Sequence, residues 1–162
     1  VGGLVGINGH TVSNSYSTGS VTSGGSFVGG LVGENMGTIS DSYSTSSVTG
    51  NSSVGGLVGR NNEGNVSNSY STGNVTGVTY VGGLIGENEG EGTISNSYWN
   101  IETSGQATSD GGTGKNTTEM QDIATFSGAG WDIIAVALNE TNPAYIWNIV
   151  NNVTYPFLTW QS

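Results

Sequence analysis

Val1-Gly2-Gly3-Leu4-Val5-Gly6 returns at Val28 to Gly33, at Val54 to Gly59 and, with Ile85 in the fifth place, at Val81 to Gly86. The four starts lie 27, 26 and 27 residues apart. A second anchor, Ser-Tyr, keeps step at Tyr16, Tyr43, Tyr70 and Tyr98. Self-similarity with a period of about 20 to 50 residues marks a stacked-repeat architecture, in which each unit buries its apolar face only against its neighbours. Repetition of this kind constrains architecture more than chemistry.

Each repeat divides into three extended pieces. The first is the hexapeptide, and the second is residues 11–18, with counterparts 38–45, 65–72 and 93–100. The third is short: Ser20-Val21-Thr22, Ser47-Val48-Thr49 and Asn74-Val75-Thr76. Gly-Gly, Asn-Gly and Gly-Asn pairs between them suit turns. In the second piece Val12, Asn14, Tyr16 and Thr18 alternate with Ser13, Ser15 and Ser17, the pattern of a half-buried strand. The expected fold is an all-β, right-handed parallel β-helix of four coils stacked about 4.8 Å apart. Stacking sets like residues above one another. The expectation is Val/Ile ladders inside, Ser ladders outside, and an Asn14–Asp41–Asn68–Asn96 ladder whose amides bond between coils, interrupted by Asp41. Length variation falls at residues 61–64 and 87–92, as expected of one loop-bearing corner.

Alternation within the hexapeptide points Leu4, Leu31, Leu57 and Leu84 inward. Val1, Val5, Val28, Val32, Val54, Val58, Val81 and Ile85 then form an outer apolar stripe for packing or assembly. Such a stripe needs a cover, either residues 133–138 or a neighbouring chain. The alternative is that Gly-Gly bends the strand and both Val and Leu reach the core.

The chain of 162 residues has a formal net charge of −10, and Arg60 and Lys115 are its only basic residues apart from His10. Nucleic acid and anionic membrane surfaces both require clustered cations, so neither is an expected partner. The absence of Cys removes disulfides and thiol chemistry. No apolar run approaches the roughly 20 residues of a membrane span. A start on a repeat without Met reads as a processed or excised piece of a longer product.

Val-Gly-Gly-Leu-Val-Gly followed by Asn-Ser-Tyr-Ser-Thr-Gly and Val-Thr-Gly resembles the GLUG repeat, over residues 1–98. That family occurs in large bacterial and archaeal surface proteins, including adhesin-like proteins and non-catalytic regions of some IgA-cleaving proteases. Tyr98-Trp99 through Gly130-Trp131-Asp132 to Tyr155-Pro156-Phe157-Leu158-Thr159-Trp160 resembles the segment that often follows the last GLUG repeat. The resemblance implies an exported surface protein and brings no catalytic residues with it.

Residues 99–162 read as an aromatic-rich α+β cap for the open end of the helix. Asn116-Thr117-Thr118-Glu119 has capping-box spacing. The expected helix runs from Thr117 to about Thr125, buries Met120, Ile123 and Ala124, and ends at Ser127-Gly128. Extended segments follow at 133–138, 145–149 and 155–160, with a turn at Asn151-Asn152. Nothing equivalent covers Val1 to Gly6, which implies further coils or another molecule there.

Candidate chemistry is sparse. An enzymatic β-helix needs two or three carboxylates converging on one face. Glu34, Glu63, Glu87, Glu89 and Glu91 instead read as a solvated acidic corner, with Glu87-Asn88-Glu89-Gly90-Glu91 a weak Ca²⁺ candidate and no other cofactor expected. His10 reads as a turn residue. Asp110-Gly-Gly-Thr-Gly-Lys115 lacks phosphate-loop spacing. Six Asn-x-Ser/Thr sequons begin at Asn51, Asn65, Asn74, Asn116, Asn139 and Asn152. Thr18, Thr45, Thr72 and Thr22, Thr49, Thr76 form candidate hydroxyl ladders. The expected function is a non-enzymatic extracellular module, either an adhesin-like stalk segment or a self-assembling filament subunit. The partners expected are neighbouring repeats, further copies or surface glycans. A glycan-binding surface, or less so an ice-binding one, is the alternative.

Overall fold

The computed structural model describes residues 1–161. Two compact units divide after Gly114. The first is a parallel β-solenoid of four coils and the second a small α+β segment.

Each complete coil has five short strands rather than three. Coil two runs Ser26–Gly29, Val32–Asn35, Thr38–Ser40, Tyr43–Ser44 and Ser47–Thr49. Like strands of successive coils pair parallel and in register, as in Val5↔Val32, Val32↔Val58 and Val58↔Ile85. The coils therefore share five sheets.

Two corners account for the extra breaks. The residue-11–18 piece bends at Asn14, and its counterparts bend at Asp41, Asn68 and Asn96, all with φ of 46–47°. Asn and Asp tolerate this left-handed geometry better than other side chains, because they bond locally to the backbone. The bend resets the alternation. Ser42, Ser44, Ser69, Ser71 and Ser97 turn inward and are buried, which corrects the expected outer Ser ladder. Ser42, Ser69 and Ser97 are satisfied across the corner, while Ser44 Oγ accepts the Ser46 N–H and Ser71 Oγ donates to the Gly83 carbonyl. Ser42 Oγ donates to the Ser40 carbonyl at 2.7 Å and accepts the Ser15 N–H at 3.2 Å, and Ser69 and Ser97 repeat the pattern. The corner Asn and Asp side chains are half-buried or exposed.

The second break lies inside the hexapeptide. Val28, Leu31, Val32, Val54, Leu57, Val58, Leu84 and Ile85 are all fully buried. The Val stripe is thus core, not surface, and Gly-Gly makes this possible through lack of bulk. A Cβ on Gly29, Gly55 or Gly82 would overlap the carbonyl oxygen of Val32, Val58 or Ile85, and one on Gly30 or Gly56 would meet Ser44 or Ser71. The chain folds so tightly there that both Val residues and the Leu face inward. In the first coil Val1 is 54% and Leu4 51% exposed, and Val5 and, in the fourth, Val81 are half-buried. The interior separates into a Leu/Val/Ile cluster closed by Trp99 and a second cluster of Val21, Val28, Val48, Val54 and Val75. Tyr16, Tyr43 and Tyr70 stack with centroids 5.3 and 4.9 Å apart, and Tyr98 continues the register. Burial raises the Tyr98 phenol above its usual range.

Residues 99–114 belong to the solenoid unit, so the compact boundary lies beyond the repeat boundary expected at Tyr98. A one-turn helix, Ile101–Ser104, is capped by the Asn100 side chain and was not visible as a period. The second unit opens with the expected capping box at Asn116 and Glu119. Its helix is interrupted, however. Thr117–Met120 ends and Asp122 caps a new helix, Ile123–Ser127. Met120 and Phe126 are buried, whereas Ile123 is half-buried and Ala124 exposed. Strands Ile133–Ala135, Trp147–Ile149 and Phe157–Leu158 form one mixed sheet, each shorter than the apolar run that announced it. Phe126, Trp131 and Trp147 meet at 4.8 and 4.9 Å in the core.

Candidate functional site

The groups that distinguish this solenoid chemically are its amide rungs, one charged cluster and the two edges of the coil stack. Asn8, Asn35, Asn61 and Asn88 follow the hexapeptide by two residues and sit in register. Nδ2 of each donates to Oδ1 of the next, at 2.8, 2.7 and 2.8 Å. The first three are buried. This amide ladder runs one corner before the Asn14–Asp41–Asn68–Asn96 row. The same amides clasp the variable loop, donating from Asn35 to the Gly37 carbonyl, from Asn61 to Gly64 and from Asn88 to Gly92.

Beside the rungs, Arg60 occupies the outward row between Glu34 and Glu87. Its guanidinium pairs with Glu34 at 3.4 Å and with Glu89, and lies 4.9 Å from the Phe27 ring centroid. The bond to Glu89 raises the Arg60 pKa further. Glu87 accepts the Ser53 hydroxyl at 2.6 Å. Two of the three carboxylates in the Ca²⁺ candidate are thus engaged elsewhere, and among the described residues no three His, Asp or Glu side chains gather to hold a metal ion. Asp110 accepts the Asn88 N–H and Lys115 pairs with Glu119, so the Asp110–Lys115 stretch makes no phosphate cradle. His10 is exposed in its turn. In the second unit a shallow pocket of about 360 Å³ has Glu140 as its one ionisable side chain, which supplies no acid–base pair.

The coil-four edge is closed by residues 106–113, which imitate a fifth coil. Within the stack, the carbonyls of Leu31, Leu57 and Leu84 each accept two N–H groups from the preceding coil. On coil four the Ser109 hydroxyl takes this role, accepting Leu84 N–H at 3.2 Å and Ile85 N–H at 2.8 Å. The Thr108 carbonyl accepts Gly83 N–H, and Thr113 N–H donates to Ser97 as Tyr98 does to Ser69. Trp99 replaces the inner serine of earlier coils, lies against Gly83 and donates from Nε1 to the Gln106 carbonyl at 2.9 Å. On coil one the corresponding edge is bare, with Val1 and Leu4 more than half exposed.

Among the sequons, Asn51, Asn65, Asn74, Asn139 and Asn152 are exposed. Asn116 is half-buried and caps its helix. Thr22, Thr49 and Thr76 form an exposed row in register, whereas Thr18, Thr45 and Thr72 sink from exposed to buried. The rungs escaped the sequence reading although the signal was present, as an Asn two residues after every hexapeptide. Ser109 carried no signal.

Compared with known families, the chain matches the profile of the GLUG motif four times, at residues 1–22, 24–49, 50–76 and 77–100, which together make up more than half of it. A protein of Evansella cellulosilytica that carries the name "Putative Gly-rich membrane protein" is 44% identical over 41 residues, covering 25% of this chain and 5% of that protein. The chain thus aligns with a small fraction of that relative's length. No solved structure matches.

Proposed function

The chain belongs to the family of the GLUG motif, and from that premise we propose that it is a non-enzymatic, load-bearing segment of an exported surface protein, a stalk built by stacking coils. The observation that carries this reading is the unbroken line of amide rungs from Asn8 to Asn88, which binds every coil to the next inside the stack. The polar groups of the interior are spent on cohesion between coils, and among the described residues no three His, Asp or Glu side chains gather to hold a metal ion. The filament alternative is weakened by residues 106–113, which occupy the coil-four edge that a second copy would need. An extracellular setting accords with the exposed sequons and with the acidic surface. The name of the relative speaks of a membrane, and the small share aligned supports only a place for such repeats within longer proteins.

The test is surface accessibility on intact source cells, by antibody labelling and protease shaving. Labelling without lysis is the expected result, and a protein found only inside the cell overturns the reading. The exposed hydroxyl row Thr22, Thr49 and Thr76 favours a second reading, a glycan-binding face, and absence of binding across a broad glycan array removes it.

A further inference from the structure

Six sequons offer an amide to a sugar, and the fold presents them unequally. A strand sends residues i and i+2 to one face, so a sequon laid along a strand sets its Asn and its hydroxyl side by side. Two sequons do this on the outside of coil three. In Asn65-Val66-Ser67 and Asn74-Val75-Thr76 the central Val is buried, whereas Asn65, Asn74 and Thr76 are exposed and Ser67 is half-buried. Asn74 Nδ2 donates to Thr76 Oγ1 at 3.3 Å, so amide and hydroxyl already meet in the open. Asn65 accepts the Thr93 hydroxyl at 2.6 Å through its oxygen, not its nitrogen.

The other four are engaged or turned. Ser53, the hydroxyl residue of the Asn51 sequon, is 1% exposed and donates to Glu87. Asn116 is half-buried and holds the Glu119 N–H in its capping box. Asn139 and Asn152 have left-handed backbone, with φ of 65° and 62°, which breaks the alternation. Thr154, in the Asn152 sequon, is engaged by the Val150 N–H.

We infer that Asn65 and Asn74 are the acceptors of N-linked sugar on the folded chain and that the other four sequons stay bare. This rests on the export reading above, since export brings the chain to a transferring enzyme. The donor is a sugar carried on a lipid-linked pyrophosphate. Nδ2 bonds to the anomeric carbon, the bond from that carbon to the phosphate oxygen breaks, and the pyrophosphate lipid leaves with the electron pair. One of the two amide protons passes to a base of the enzyme. The placement has a physical rationale. Asn65 and Asn74 lie on two sheets whose strands contain only Thr, Ser, Asn, Val and Ile. A bulky hydrophilic sugar supplies there the solubility that carboxylates supply at the Glu34–Glu91 corner. The sugar on Asn74 adjoins the hydroxyl row ending at Thr76.

The experiment maps the peptides of the chain isolated from its source by mass spectrometry. The expected result is added sugar mass on Asn65 and Asn74 and none on Asn51, Asn116, Asn139 or Asn152. Thr76→Val, made in the source, keeps Asn74 and the strand but removes the hydroxyl, and is expected to strip Asn74 while Asn65 stays modified. Thr76→Ser is expected to restore the sugar, and unchanged far-UV circular dichroism checks that both variants fold. If a variant does not fold, the map of the unaltered chain decides alone. A bare Asn65 or Asn74, sugar on any of the other four, or a folded Thr76→Val chain that keeps its sugar at Asn74 overturns the inference. A bare chain that labels on intact cells overturns this inference and leaves the stalk reading standing, whereas a chain found only inside the cell removes the stalk reading.

Discussion

The two units hold themselves together by opposite means. In the solenoid the work is divided among copies. Leu31, Leu57 and Leu84 occupy one position three times, and buried Ser and Asn side chains bridge each step. In the α+β segment nothing repeats: Phe126, Trp131 and Trp147 pack ring on ring, and Met120, Ile149 and Leu158 are each fully buried. The lesson is about where sensitivity lies. A non-repeating core concentrates it on individual residues, whereas a stack grades it by height, because an end coil has one neighbour and a middle coil two.

Mutations can break this contrast. Trp147→Ala empties the centre of the α+β segment and is expected to cost about 3–5 kcal/mol, read as loss of near-UV circular dichroism and early denaturation of that unit. Leu57→Ala in the middle of the stack is expected to cost about 2–5 kcal/mol, while Leu4→Ala at the same motif position, 51% exposed, stays within about 0.5 kcal/mol. Equal costs at Leu4 and Leu57 in urea titrations would end the grading argument. Asn61→Ala removes the middle rung, leaves Asn88 Oδ1 without its donor, and is expected to cost about 1–3 kcal/mol. Ser109→Ala leaves the N–H groups of Leu84 and Ile85 without an acceptor, so their hydrogen exchange is expected to quicken roughly tenfold or more.

The smallest effect concerns pH. The Tyr98 phenol is held protonated by burial, so the folded state keeps its proton where the unfolded chain has lost it. Its contribution is complete below the unfolded value near about pH 10 and is lost as pH rises toward the folded one. Tyr98→Phe is expected to flatten the alkaline arm of the stability profile, and an unchanged slope would show that other groups set it.

Much of the solenoid was legible because repetition amplifies weak signals. The period, the parallel register, the strand at Thr11–Ser13 and the variable corner all followed from four copies. What failed was phase. A single αL residue at Asn14 or Asp41 exchanges inside for outside, and alternation counted across it places Ser42 and Ser44 on the wrong face. Gly-Gly permits a fold-back that alternation cannot count, so the hexapeptide reads either as an outer Val stripe or, with the strand bent, as the buried Val and Leu that the fold shows. The imitation of a fifth coil by Ser109 and Thr108 was illegible, since it depends on atoms brought together by the fold and not on any pattern. In the α+β segment the capping box was readable as a local interaction, whereas burial of Phe126 in place of Ala124 depended on the break at Asp122.

The Asn clasp has a consequence for how such chains diversify. Asn35, Asn61 and Asn88 hold the carbonyl of a glycine two, three and four residues onward, so the loop returns to the same place whatever its length. The coil beneath is insulated from what the loop contains. Residues around Glu63 and at Gly90-Glu91 are therefore the natural address for foreign sequence, a mounting point where new peptides can be displayed or exchanged while the stack keeps its register.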